Sequence, residues 1–304
     1  MQQPDSSTLT VYQAGDDLSL VIGRSGPAKL FWIRFIRNKP AILGGLIIIA
    51  MVLMAILAPI ISPYDPSLQN YSRILQSPSH AHLLGTDDLG RDTLSRIFFG
   101  ARISVASSII PVLIALGAGL PLGLIAGYFR GFWDAWVIMR VVDALQAFPF
   151  LILALALASV LGTGGFLNAM IAIGIGFTPA FVRIIRGQVL SVAGLEYVQS
   201  ARALGVGNGR ILRSHILPNV MGPLLVQISV AMAAAILAEA GLAFLGVGVQ
   251  PGTPTWGEML TTAQQYIYQS PGLAIWPGVA IFLAVLGFNL LGDGIRDGLD
   301  PRFG

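Results

Sequence analysis

Lys29 and Lys39 are the only lysines in this 304-residue sequence. A loop that grips nucleotide phosphates needs the string G-x-x-x-x-G-K-[ST], in which the lysine is followed by a hydroxyl residue. Lys29 is followed by Leu30 and Lys39 by Pro40. Neither fits, so the chain is not a P-loop ATPase. Cysteine is absent, which removes thiolate nucleophiles, thiolate metal ligands and disulfides. His80, Ala81 and His82 stand close in sequence to Asp87 and Asp88, but the spacing fixes no third or fourth ligand, so no metal site is assigned. The string Gly85–Asp92 does not match a calcium loop; Asp92 reads instead as the cap of a following helix. An intramembrane aspartyl protease uses Gly-x-Gly-Asp, whereas Asp293 is preceded by Leu290, Leu291 and Gly292. A serine protease would need a buried histidine, and His80, His82 and His215 all fall in loops. No catalytic residue is assigned, and the chain is expected to be non-catalytic.

The elements that hold these residues follow from composition. Hydrophobic residues make up 55% of the chain, charged residues 11%, and the mean hydropathy is +0.75. Soluble domains carry about 25% charge. That excludes a soluble globular domain, a disordered chain and a nucleic-acid-binding module, and leaves an integral membrane protein. A spanning helix needs about 20 apolar residues. Six stretches qualify: about Ala41–Ile61, Ile103–Gly127, Val137–Leu161, Leu167–Ile185, Val220–Leu245 and Leu273–Leu291. They are continuous runs, not the alternating segments of an outer-membrane barrel. The expected fold class is all-α and polytopic, with six transmembrane helices.

Cations set the orientation. Arg24, Lys29, Arg34, Arg37 and Lys39 precede the first span and place the N-terminus in the cytoplasm. Alternation then puts Arg130, the segment Arg183–Arg213, Arg296 and Arg302 on the same side. Only Arg73, Arg91, Arg96 and Arg102 fall outside. Both termini are therefore expected to be cytoplasmic. Residues 1–27 read as a mobile tail, 28–101 as the first span with a long outer loop, 102–295 as a core of five spans and 296–304 as a tail. A short surface helix is expected within Thr255–Gln269.

Between the fourth and fifth spans lies Glu196–Asn219, EYVQSARALGVGNGRILRSHILPN. Glu196–Leu204 reads as a short helix with small residues Ser200, Ala201 and Ala203. Gly205, Gly207 and Gly209 mark a turn, and Gly209–Ile216 reads as a second helix, stopped by Pro218 before the next span. A dinucleotide loop follows a strand, and here a helix precedes the glycines. A helix-turn-helix needs a third helix. A basic hairpin with a small-residue face is suited to docking in a groove of another protein.

Polar groups within spans are costly and face protein or water. Arg140 and Asp143 are three apart and are expected to pair on one helix face, or alternatively to make a gating contact. Glu239, in the fifth span, either packs at an interface or meets a peptide ammonium. Pro149 and Pro179 either permit bending or form static kinks.

The hairpin resembles the cytoplasmic loop of binding-protein-dependent ABC importer permeases, whose pattern is Glu-Ala-Ala, three residues, Gly, nine residues, Ile, any residue, Leu-Pro. Aligned on Gly205, the positions fall on Gln199, Ser200 and Ala201, with Leu217 and Pro218 at the Leu-Pro. Gln199 replaces the motif glutamate and His215 stands where Ile is usual; Glu196, one turn earlier, is a candidate for the missing charge. HLLGTDDLGRDTLSRIFFGARIS, MRVVDALQAFP, FLGVGVQPGTPTWGEML and FNLLGDGIRDGLDPR resemble the dipeptide and oligopeptide branch, second (C-type) subunit. That resemblance implies a type I ABC importer permease fold in the bacterial inner membrane. Its partners would be a second homologous permease subunit, two cytoplasmic ATPase subunits, a periplasmic binding protein and membrane lipid. It implies no cofactor in this chain, with ATP and Mg bound by the ATPases. The coupling residues would be Glu196, Gln199, Ser200, Ala201, Arg202, Leu204, Gly205, Leu217 and Pro218. Dipeptides or short oligopeptides are the implied cargo; glutathione and nickel importers share these strings.

Overall fold

A computed structural model of the protein describes residues 27–162, 165–250 and 252–299. Almost the whole N-terminal tail and the last residues of the C-terminal tail lie outside this set. Every named element among the described residues is helical. Among the described residues five helices are long and apolar enough to cross a membrane, and a pair bent at a short break makes a sixth when taken as one span.

Helix α1 (Pro27–Arg37) leads into α2 (Lys39–Ile61), the first span. Asn38 caps α2, its Oδ1 accepting from the Ala41 amide at 3.1 Å. Helix α3 (Thr93–Phe129) is the second span. At about 1.5 Å per residue it is far longer than the ~30 Å hydrocarbon core. It begins at Thr93 rather than near Ile103, because Asp92 caps it: its Oδ2 accepts from the Ser95 amide at 2.8 Å and from Ser95 Oγ at 2.7 Å.

The third span is not the continuous helix expected over Val137–Leu161. A π-helical turn (Trp133–Ile138) runs into α4 (Met139–Gln146), and α5 (Phe150–Leu161) leaves it at 100°. The break falls at Pro149, which has extended geometry (φ −55°, ψ 131°) and begins α5 as its cap. Proline lacks the amide that would continue α4, and its ring disfavours helical geometry in the preceding residue.

Helix α6 (Phe166–Ala193) is the fourth span and runs unbroken through Pro179. It makes the most extensive helix pair of the fold with α3. The reason is a glycine stripe on α3. A Cβ at Gly119, Gly123 or Gly127 would stand 2.6, 2.7 and 2.6 Å from Cβ of Phe181, Ile185 and Val189. Without side chains the two backbones close on each other, which is how helices associate where lipid gives no hydrophobic drive.

The hairpin follows as α7 (Glu196–Ala203) and α8 (Asn208–Ile211), then a π-helical turn (Leu212–Ile216) and the fifth span α9 (Leu217–Phe244). Pro218 does not stop the second limb before the span. It sits in the first turn of α9, and Asn208–Phe244 runs as one continuous helical rod. A proline there is compatible with the rod because the π turn has already shifted the hydrogen-bond register. Helix α10 (Trp256–Tyr266) is the expected short outer helix, capped by Thr255, whose Oγ1 accepts from the Glu258 amide at 3.0 Å. The last span, α11 (Gly272–Leu299), extends past the expected boundary at residue 295. Asn38 Nδ2 donates to its Asp297 at 2.8 Å, so the start of α2 is tied to the end of α11.

The main buried cluster contains Val112, Tyr128, Phe181, Ile185, Val189, Val198, Ile211, Ile216 and Leu224. It draws α3, α6, α9 and both limbs of the hairpin into one core. A second cluster packs α2, α3, α9, α10 and α11 through Met51, Ile97, Trp256 and Phe288.

Candidate functional site

The hairpin is built from its turn outward. Gly205 has φ +78°, the left-handed conformation that glycine adopts without steric cost. The Val206 amide donates to Ala201 O at 3.1 Å and the Gly205 amide to Arg202 O at 3.0 Å. These two bonds form a Schellman closure of α7. Gly207 has φ −63° and caps α8, while Gly209 is helical. Of the three glycines, only Gly205 needs the left-handed region.

Phase along α7 decides what is presented. Val198 is fully buried and faces the bundle. Arg202, one turn on, follows the same side, and its guanidinium lies 5.1 Å from the centre of the Tyr128 ring. Opposite stand Glu196, Tyr197, Ser200 and Leu204, all exposed; Leu204 is 85% exposed. A bare leucine at the tip of a helix fixed to a rigid core is a surface that a partner can cover. Gln199 Nε2 donates to Gly194 O at 3.1 Å, so this side chain braces the hairpin against the end of α6. On the second limb Leu217 is half-buried and Pro218 exposed. Ala201 is half-buried beneath the turn.

Two links to α3 and α6 were invisible in the sequence. Tyr128, at the inner end of α3, donates its hydroxyl to Asn208 Oδ1 at 2.9 Å. Asp134, buried in the π turn, accepts two bonds from Arg186 of α6, Nε at 2.6 Å and Nη2 at 2.7 Å. Only a tyrosine at a span end and an acid beside aromatic residues hinted at either.

Arg140 and Asp143 do not pair. Arg183 Nη2 of α6 reaches Asp143 at 2.8 Å, and Arg140 lies 5.2 Å over the Trp136 ring. One face of α4 cannot keep both partners once α6 offers a nearer guanidinium. Asp143 is exposed, not buried; surface pairs of this kind contribute little stability. Glu239 is buried near the outer end of α9, and its Oε1 has no hydrogen-bond partner among the described residues. Pro179 is buried inside α6. The structure thus leaves Arg140, Asp143, Pro149, Pro179 and Glu239 scattered, not gathered into one site.

On the outer side, residues 62–92 are clamped to α3 and α10. Arg96 is almost fully buried, its Nη2 donating to Glu258 at 2.5 Å. Arg91 Nε donates to Asp87 at 2.6 Å. Burial above all, with neighbouring Asp87, pushes the Asp88 carboxyl above its ordinary range. His82 is wedged between Asp92, 2.9 Å from Nδ1, and Arg73, 3.1 Å from Nε2. Since arginine only donates, Nε2 accepts and Nδ1 carries the proton toward Asp92. Both ring nitrogens are occupied, so His82 is a structural clamp and is not open to a metal.

Residues 119–304 match the family model described as binding-protein-dependent transport system inner membrane component. The chain belongs to this family. Residues 26–78 also match the N-terminal transmembrane domain of oligopeptide transport permease C. A glutathione transport system permease protein of Pectobacterium atrosepticum is 44% identical over 277 residues, covering 91% of each chain. A dipeptide transport system permease protein of Alkalihalophilus pseudofirmus is 45% identical, covering 88% of this chain and 87% of the relative. A di/tripeptide transport system permease protein of Pseudomonas aeruginosa is 44% identical, with 91% and 92% covered. Among solved structures, an inward-facing methionine ABC transporter aligns with TM-score 0.58 at 18% identity, over 67% of this chain and 96% of that one. This likeness concerns the fold alone. The chain is therefore a multi-pass permease of the bacterial inner membrane.

Proposed function

We propose that this chain carries dipeptides or short oligopeptides across the inner membrane as one half of a two-permease path. What supports the cargo is what its relatives are named for: dipeptides, di- and tripeptides, and glutathione, all short peptides. A binding protein outside would deliver the peptide, and two cytoplasmic ATPases would drive the cycle.

The geometry suits transmission of movement. ATPase closure would press on the exposed face of α7 around Ser200 and Leu204. Val198, Ile211 and Ile216 are fully buried, so the hairpin cannot shift without moving the core they share with α3, α6 and α9. Close-packed cores transmit displacement and do not absorb it. The α3–α6 glycine contact makes those two helices move as a pair. Tilting of the pair against the partner permease would change which side of the path is open. The chain itself contributes no hydrolysis; ATP and Mg belong to the ATPases.

The test is uptake by the complete assembly in proteoliposomes, with ATP inside and the binding protein outside. Labelled dipeptide and glutathione should enter, and omission of this chain should abolish entry. ATP-dependent uptake of a non-peptide cargo with no peptide uptake would overturn the reading.

A further inference from the structure

We infer that the cleft between the inner end of α3 and the inner side of α7 binds the phosphate headgroup of an anionic phospholipid. The cleft measures about 610 Å³ and is lined by Tyr128, Phe129, Arg130, Gly194, Gln199 and Arg202.

 A larger inner cleft, about 740 Å³, lies between α6, α9 and α11, but only one cation, Arg296, lines it. The smaller cleft holds two, Arg130 and Arg202.

Four observations favour a lipid phosphate here. Two acids on neighbouring elements are already held, Asp134 by Arg186 and Asp143 by Arg183, and Glu196 stands on the opposite face of α7. Among the described residues, no carboxylate forms an ion pair with Arg130 or Arg202. Next, Arg130 is held at φ 48° and ψ −170°, close to a region that only glycine occupies freely, and Gly131 follows immediately. A strained arginine beside an available glycine points to a use for its side chain. Third, Arg202 is exposed but lies on the Val198 side of α7, over the Tyr128 ring and away from the Leu204 face. Last, Phe129 lines the cleft, and it, Phe132 and Trp136 are exposed along the segment that follows α3, with Arg140 over Trp136. Exposed aromatic residues with arginine mark the headgroup level of a bilayer. A headgroup phosphate between the two guanidinium groups would leave its acyl chains along these rings.

The test uses the purified complex of permeases and ATPases, titrated with phosphatidylglycerol or phosphatidylcholine and read by native mass spectrometry. Arg130→Gly removes the cation and suits the backbone. It should lower phosphatidylglycerol retention about fivefold, with phosphatidylcholine unchanged. Arg130→Gln should lose the lipid likewise, and Arg130→Lys should keep it. Unchanged phosphatidylglycerol retention in both neutral variants would overturn the inference. So would loss of the ATPases with lipid retained, which would make an acidic ATPase segment the occupant. Displacement of the lipid by millimolar glycerol phosphate would also overturn it, in favour of a soluble phosphate.

Discussion

Tyr128 donates its hydroxyl to Asn208 Oδ1 at 2.9 Å and carries Arg202 over its ring at 5.1 Å. One side chain at the end of α3 thus touches both limbs of the hairpin. Tyr128→Phe keeps the ring and removes the hydrogen bond, which contributes about 1 kcal/mol. The expected outcome is normal assembly with fewer peptides moved per ATP hydrolysed. A double-mutant cycle with Asn208→Ala should show coupling of about 0.5–1.5 kcal/mol in complex stability. Strictly additive single effects would remove this link from the account.

The hairpin turn gives a second prediction. No atom lies within 4 Å of a Cβ at Gly205, Gly207 or Gly209. Space therefore does not distinguish them, but φ does. Gly205→Ala should cost about 1 kcal/mol through its left-handed backbone. Gly209→Ala, in a helix, should be neutral or slightly stabilising. Gly205→Glu adds a charge to the same strained turn and should abolish ATP-coupled uptake with membrane insertion intact. Thermal unfolding and uptake, measured on the three variants, decide it.

Packing of α3 on α6 gives a third. Gly123→Val would place atoms 2.7 Å from Ile185 Cβ. Overpacking of this kind costs about 1–3 kcal/mol, and here it also wedges apart the pair proposed to move together. Gly117→Ala meets nothing within 4 Å and serves as the control. A lowered melting temperature in detergent is expected for the first variant only.

The outer clamp gives a fourth. Arg96 is buried against Glu258 and lies 3.5 Å from Asp87. Arg96→Met strands Glu258, while Asp87 keeps Arg91, and breaking a buried pair from one side costs about 3–5 kcal/mol. The double variant Arg96→Met with Glu258→Gln should recover part of that loss. Limited proteolysis of residues 62–92 is the direct readout, with faster cleavage expected in the single variant.

Much of this architecture was legible in the sequence. The spans are apolar runs whose length the bilayer dictates, and Asp92 announces its helix by capping chemistry. The hairpin showed itself because glycines and small residues interrupt a cytoplasmic segment. What stayed hidden depends on neighbours distant in sequence. Asp143 finds Arg183 across α4 and α6, and no local spacing reveals that. Periodicity also cannot tell a straight span from one bent at Pro149. Pro218 lies inside the rod for a related reason: the π turn that admits it shows no residue signature.

The central claim is that the α7 face around Leu204 meets the ATPases. The chain has no cysteine, so single-cysteine variants report cleanly. Leu204→Cys should react with a maleimide in the isolated permease, lose that reactivity in the complete complex and cross-link to an ATPase subunit. Tyr268→Cys, at a fully exposed outer position, should react equally in both and cross-link to neither. Undiminished labelling at Leu204 in a complex that still transports would contradict the account.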